Sequence, residues 1–190
     1  MNQERRADWD ERHREGTAGT PEPSLVEMLP MLARGRTLDI AAGLGRNAIA
    51  LASAGMRVIA ADYSERAALA LRQTAREYGL TIEPVITDVE DGWPFRPGNF
   101  DLVVNINFLN RAMVPHLLDA LKPDGMLFFD TFLIDQAELG HPCDPAFMLH
   151  HYELREMLSA MELLQYREGI VTYPSGKQAW RATALARRRS

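Results

Sequence analysis

Thr37-Leu38-Asp39-Ile40-Ala41-Ala42-Gly43-Leu44-Gly45-Arg46-Asn47-Ala48 runs from an apolar strand through a turn of small residues into a helix. Gly43 and Gly45 admit backbone angles closed to other residues. With Ala41 and Ala42 they leave little bulk between the main chain and a ligand. The helix that follows offers unpaired N–H groups at its start. A nucleotide-like cofactor is therefore expected at this turn. The glycines alone do not choose between cofactors, because Gly43-x-Gly45-x-x-Ala48 also fits the dinucleotide fingerprint of NAD enzymes.

The 190 residues, 46% of them apolar, suffice for one domain with one full core. Residues 1–23 are charged and glycine-bearing and read as an arm or lid, with Trp9 as its large apolar group; residues 24–190 read as the core. A net charge of −5 argues against a broad surface for nucleic-acid phosphates, and Arg187-Arg188-Arg189 reads as a solvated tail. Cys143 is the single cysteine, which excludes an internal disulfide and thiolate metal sites and suits a reducing cytoplasm. No apolar run reaches the roughly 20 residues of a membrane span, and the polar start lacks a signal-peptide core. A soluble, cytoplasmic monomer or homodimer is expected.

Beyond the turn, strands alternate with helices. A short helix begins at Ser24, read as its cap, and is followed by strand 36–41, helix 45–54, strand 57–61, helix 64–78 and strand 81–87. Gly55 and Gly79 end the two longer helices. A Pro/Gly-rich connection leads to strand 100–106, helix 111–121, a turn at Lys122-Pro123-Asp124-Gly125 and a strand at 126–129. Residues 133–149 read as a long polar loop, followed by a helix at 151–160. Strands near 162–171 and 177–187, joined by Tyr173-Pro174-Ser175-Gly176, form an antiparallel pair. The alternation predicts an α/β protein with a parallel sheet.

Three features separate the candidate cofactors. Asp39 lies just before the turn, where a carboxylate repels a pyrophosphate but suits a cationic amino-acid moiety. Asp88 ends the third strand, where it can meet an adenine amino group. The chain closes with an antiparallel pair instead of a second mononucleotide half. Asp62, at the end of the second strand, suits ribose hydroxyls in either cofactor.

The segments Leu38–Asn47, Val58–Ser64, Thr87-Asp88-Val89, Asn99–Val104 and Leu121–Gly125 resemble, in order, those of class I S-adenosylmethionine-dependent methyltransferases. The similarity is to the small group of tellurite-resistance and thiopurine-type enzymes. Trp9-Asp10-Glu11-Arg12-His13 with Gly16 is similar to the arm preceding that group's core. The resemblance implies a Rossmann-like, doubly wound sheet of seven strands in the order 3-2-1-4-5-7-6. Its last strand is antiparallel, and helices cover both faces. It implies S-adenosyl-L-methionine as cofactor, with Gly43 and Gly45 along the methionine and ribose, and Asp39 ordering the turn or reaching the amino group through water. Asp62 would hold the ribose, Tyr63 lie against the adenine, Asp88 and the Val89 backbone read its edge, and Asn105 face the methionine end. Ala41 and Asn47 complete the cofactor-facing set. Ala41 departs from the family, which usually has glycine there, and its methyl narrows the turn.

The acceptor is less legible. Trp9, Asn107, Phe108, Asn110, Arg111, His150 and His151 are the candidates near the expected mouth, Arg111 as an attractor of an anionic acceptor. Asn105 and Asn107 are expected on one sheet face. No residue is assigned as a catalytic base. His141, Cys143, His150 and His151 match no metal-ligand spacing, so no metal is expected. Hydrolase elbows and Walker loops are missing from the sequence. The implied function is methyl transfer to a small molecule, a soft nucleophile such as a thiol or chalcogen oxyanion, or another small metabolite. Two readings stand beside it: a non-catalytic protein that binds S-adenosylmethionine or S-adenosylhomocysteine, and an NAD(P)-dependent oxidoreductase.

Overall fold

A computed structural model describes residues 18–139 and 144–190. Its order of elements is α1 (Pro23–Met28), β1 (Arg36–Ile40), α2 (Arg46–Ser53), β2 (Arg57–Asp62), α3 (Glu65–Glu77) and β3 (Ile82–Ile86), then β4 (Phe100–Ile106), α4 (Val114–Ala120), β5 (Leu121–Phe132), α5 (Glu153–Met157), β6 (Glu162–Thr172) and β7 (Gln178–Arg187). The strands form one seven-stranded sheet in the order β3-β2-β1-β4-β5-β7-β6. Strands β1 to β5 pair in parallel, while β7 runs antiparallel to both neighbours. The expected architecture is thus observed.

Alternation along the strands sends one set of side chains to each face. Leu38, Ile40, Val103, Leu127 and Phe129 face a cluster that includes Leu117 of α4 and Leu154 of α5. Val58, Ala60, Leu102, Val104 and Phe128 face the other, with Leu25 of α1, Leu51 of α2 and Leu71 of α3. Strands buried on both faces explain the near-continuous apolar runs of β2 and β4. No helix among the described residues is long and apolar enough to cross a membrane.

Several local expectations are corrected. Ser24 does not cap α1: Glu22 holds the N-cap position and Pro23 opens the helix, which suits a residue without an N–H. Ser24 is buried and donates its hydroxyl to Asp130 instead. The turn at 122–125 interrupts β5 as a bulge, since Phe100 pairs with Leu121 and Leu102 already with Met126. The segment expected as a polar loop is anchored by Leu133 and Leu149, both fully buried and bridged to each other. The helix expected at 151–160 is shortened to α5 by Tyr152, which has φ 65° at its N-cap.

Strand order reverses between β1 and β4, and the carboxyl ends of strands at such a reversal are where open α/β sheets hold ligands. The glycine turn sits there. Ala41, Gly43 and Gly45 have φ of 53°, 54° and 82°. A Cβ on Gly45 would lie 2.3 Å from Leu71 Cδ1, inside the α2–α3 packing. Gly45→Ala is expected to lower unfolding stability by about 2 kcal/mol or more through left-handed strain plus overpacking. Ala41→Gly is expected to raise it by up to about 1 kcal/mol by relieving the same backbone conformation. Urea midpoints of the two variants against the parent check both signs.

Candidate functional site

The turn is built around Asp62 at the carboxyl end of β2. Its Oδ2 accepts the Gly43 N–H at 2.8 Å, and its Oδ1 accepts the Ser64 N–H at 2.9 Å. One carboxylate therefore ties the loop after β1 to the loop after β2. A carboxylate offers about four acceptor sites, so hydroxyl donors can still be taken. The Ala42 N–H reaches the Ala61 carbonyl at 3.1 Å, which closes the two loops further.

Asp39, one residue from the end of β1, is buried, and its Oδ2 has no hydrogen-bond partner. Burial, and then the neighbouring Asp62 charge, push its carboxyl up to about 7, against the pull of Arg46 and the Ala48 N–H. Asn105, near the end of β4, is equally buried. Its Nδ2 donates to the Phe108 carbonyl at 2.7 Å, while its Oδ1 has no partner. Two acceptors without donors thus lie at the ends of the two strands that flank the reversal of order. Leaving such atoms unpaired is costly, and a ligand rich in N–H and O–H donors would satisfy them.

Beside the turn opens a cleft of about 690 Å³, lined among others by Glu22, Arg46, Asn107, Phe132, Tyr173 and Arg181. Arg46, the first residue of α2, follows the glycine turn directly and lines the cleft. Glu22 is buried. Its Oε2 pairs with Arg46 at 3.3 Å, its Oε1 accepts the Tyr173 hydroxyl at 2.9 Å, and its N–H donates to Asn47 Oδ1 at 2.9 Å. Burial, moderated by the Arg181 charge and reinforced by Glu22, pushes the Tyr173 hydroxyl up to about 12. Arg181 donates to Asp130 Oδ1 from Nε at 2.7 Å and from Nη2, and to Asn107 Oδ1 from Nη1 at 2.7 Å. Desolvation works against its charge, but Asp130, Glu22 and Tyr173 raise its pKa above the ordinary arginine value.

Residues 37–125, the β1–β5 core carrying the turn, match a family model described as a methyltransferase domain. That stretch is thus a methyltransferase domain, and the sheet that carries it has the fold of the class I S-adenosylmethionine-dependent methyltransferases. The chain is 32% identical over 111 residues to the ubiquinone biosynthesis O-methyltransferase of Thiobacillus denitrificans, covering 56% of this chain and 48% of that protein. It is 24% identical over 152 residues to TehB of Haemophilus influenzae, a probable S-adenosyl-L-methionine-dependent methyltransferase, covering 77% and 52%. The chain thus spans about half the length of these curated relatives. The crystal structure of that TehB superposes with TM-score 0.76 at 22% identity, over 88% of this chain and 62% of that one. A Burkholderia thailandensis 1,6-didemethyltoxoflavin N1-methyltransferase, solved with bound S-adenosylhomocysteine, gives TM-score 0.72 at 19% identity, over 97% and 87%.

The methyltransferase cofactor, S-adenosylmethionine, fits the residues present. Its ammonium, ribose hydroxyls and adenine amino group are donors, matching the unpaired oxygens of Asp39 and Asn105 and the remaining capacity of Asp62. Tyr63 is half-buried after β2, and Val89 is buried under the sheet end. Asp88 shapes its own loop: its Oδ1 accepts the Glu90 N–H at 3.0 Å and its carbonyl accepts the N–H groups of Asp91 and Gly92. Ala41 is exposed at the turn, where its methyl borders the ligand face. Asn47 departs from its expected part, because its buried oxygen holds Glu22.

The acceptor candidates fare differently. Trp9, with His141 and Cys143, lies outside the described residues. Asn107 lines the cleft, but with φ 59° it turns away from Asn105, and the two amides do not share a face. Phe108 packs against the α4-side core. Asn110 caps a short 3-10 turn through the Ala112 N–H and donates to Glu90. Arg111 is not an anion attractor at the mouth: its guanidinium is occupied by Glu153 and the carbonyls of Ala146 and Met148. His150 is exposed and contributes its backbone N–H to Glu153. His151 stands beside Trp180, whereas Ala179 and Arg181, alternating with it along β7, line the cleft. It therefore lies across the sheet from the cleft. Glu22, Tyr173 and Arg181 escaped the sequence reading, although an arginine alternating with alanine, threonine and leucine in a buried strand was a visible signal.

Asp62→Ala leaves the Gly43 and Ser64 N–H groups without their acceptor and is expected to weaken S-adenosylhomocysteine binding at least about tenfold, roughly 1.4 kcal/mol. Calorimetry on the folded variant checks this, and unchanged affinity would remove the site. Asp39 carries a proton in the folded state that the unfolded chain loses near 4, so its ionisation lowers stability as pH rises from about 4 to about 7. Affinity for cationic S-adenosylmethionine should correspondingly rise between pH 6 and 8 by up to roughly tenfold, as a group titrating near 7 becomes charged. Asp39→Asn should flatten that profile.

Proposed function

We propose that this protein transfers the methyl group of S-adenosylmethionine to a small-molecule acceptor that is already nucleophilic at neutral pH, such as a thiol or a chalcogen oxyanion. The observation that carries this reading is the cleft that meets the glycine turn at Arg46, whose lining among the described residues holds no histidine and no cysteine. Tyr173 is pushed up to about 12, and both Glu22 oxygens are already engaged. Asp39, whose carboxyl titrates near 7, stands at the turn and not in the lining.

The cofactor supplies an activated methyl on a sulfonium, so the protein's work is alignment and exclusion of water. Arg46 and Asn107 border the cleft where turn and β4 end meet, which suits an acceptor held in line with the reacting bond. The cleft volume lies in the range of small-ligand sites. A nucleic-acid substrate is disfavoured by the net charge of −5.

A methyl-transfer screen that follows S-adenosylhomocysteine release decides the point. Thiol or oxyanion acceptors are expected to turn over faster than alcohols or amines of similar size. Cofactor binding without turnover across all four classes would favour the non-catalytic binding protein instead.

A further inference from the structure

We infer that the acceptor cleft recognises a compact carboxylate on a small apolar, preferably aromatic, body through Lys177 and the two unused N–H groups of Arg181. This rests on the reading of the cleft as the acceptor site, and it names the class of acceptor. Of the lining cations, Arg46 is paired with Glu22. Arg181 has five N–H donors, and three are directed to Asp130 and Asn107. The other two belong to a side chain that lines the cleft. Lys177, on the β6–β7 connection, has no carboxylate within ion-pair distance of its Nζ among the described residues.

The acid in the lining does not compete for these donors. Glu22 is held on one side by Arg46 and on the other by the Tyr173 hydroxyl. The guanidinium is also fixed in orientation, because Phe132 lies under it at 4.4 Å and Asp130 grips one edge. A planar fork held this way matches the geometry of a carboxylate and discriminates against a neutral isostere, which leaves its donors unpaired. Phe132, Pro23, Pro174 and Ala179 supply the apolar surface for the body of the ligand.

The test measures binding and turnover separately. Calorimetry on the protein saturated with S-adenosylhomocysteine should show benzoate binding at least tenfold more tightly than benzamide, and Lys177→Glu should reduce that preference to about twofold or less. Arg181→Lys, which keeps a charge opposite Asp130 but loses the fork, should reduce that preference as well. Equal binding of benzoate and benzamide by the parent protein, or a preference unaltered in both variants, overturns the inference. In the turnover arm, 4-mercaptobenzoate and thiophenol are matched acceptors. The thiolate sulfur forms a bond to the methyl carbon as the sulfonium–methyl bond breaks, the thiol proton having gone to solvent; the products are the methyl thioether and S-adenosylhomocysteine. A higher kcat/KM for the carboxylate-bearing thiol supports the inference. Equal kcat/KM for both thiols keeps the methyl-transfer reading and removes the carboxylate site. Selective benzoate binding without methylation of either thiol upholds the carboxylate site and removes the methyl-transfer reading.

Discussion

The carboxylate of Asp130 joins the parallel part of the sheet to its antiparallel end. It is fully buried in β5 and accepts from Ser24 Oγ at 2.6 Å, Thr183 Oγ1 at 2.6 Å and Arg181 Nε at 2.7 Å. An isolated carboxylate at that depth would be strongly disfavoured, and removing one partner of a buried pair typically costs about 3–5 kcal/mol. Here every donor comes from a different requirement of the fold. Ser24 docks α1 on the sheet, Thr183 stands opposite Asp130 in the β5–β7 register, and Arg181 carries the interaction to the cleft. The charge is tolerated because it is shared among elements that have to meet at this point.

Glu22 repeats the arrangement one layer out. It begins α1, holds the first turn of α2 through Arg46 and Asn47, and receives the hydroxyl of Tyr173 from the end of the β6–β7 hairpin. The cofactor turn and the cleft wall are therefore mechanically linked through one side chain. The first turn of α2 and Tyr173 thus meet at Glu22 and not across the sheet. This is the physical reason why α1, short as it is, belongs to the site.

The parallel core was legible because its signals are local. Gly43 and Gly45 read as a turn since few residues other than glycine adopt their backbone angles readily, and strands buried on both faces announce themselves as apolar runs. Asp39 and Asp62 were legible for the same reason, lying within a residue of strand ends. What was not legible depends on distance in sequence: Asp130 meets Ser24 across 106 residues, and Tyr173 meets Glu22 across 151. Arg111 and His151 were misplaced by a related limit. Each looked like a free polar group near the expected mouth, yet Glu153 and, for His151, Asp135 and Glu168 lie waiting in the fold. Loop charges find local counterions more readily than they find ligands.

Ala41 shows how far the local reading reaches. A methyl at φ 53° stores strain of about 1 kcal/mol in the turn, and the turn is retained because Asp62 holds Gly43 while the Ala42 N–H is held by Ala61. The constraint therefore comes from β2 and not from the turn's own composition. It follows that the geometry of the cofactor face is set by the register of β1 on β2, with Asp39 beside Ala60 and Ile40 beside Ala61. Glycine at position 41 would lower the strain but also widen the angles open to the unfolded chain, so the two effects partly offset. The alanine at position 41 is thus held, by contacts from the neighbouring strand, in a backbone conformation that a glycine would adopt freely.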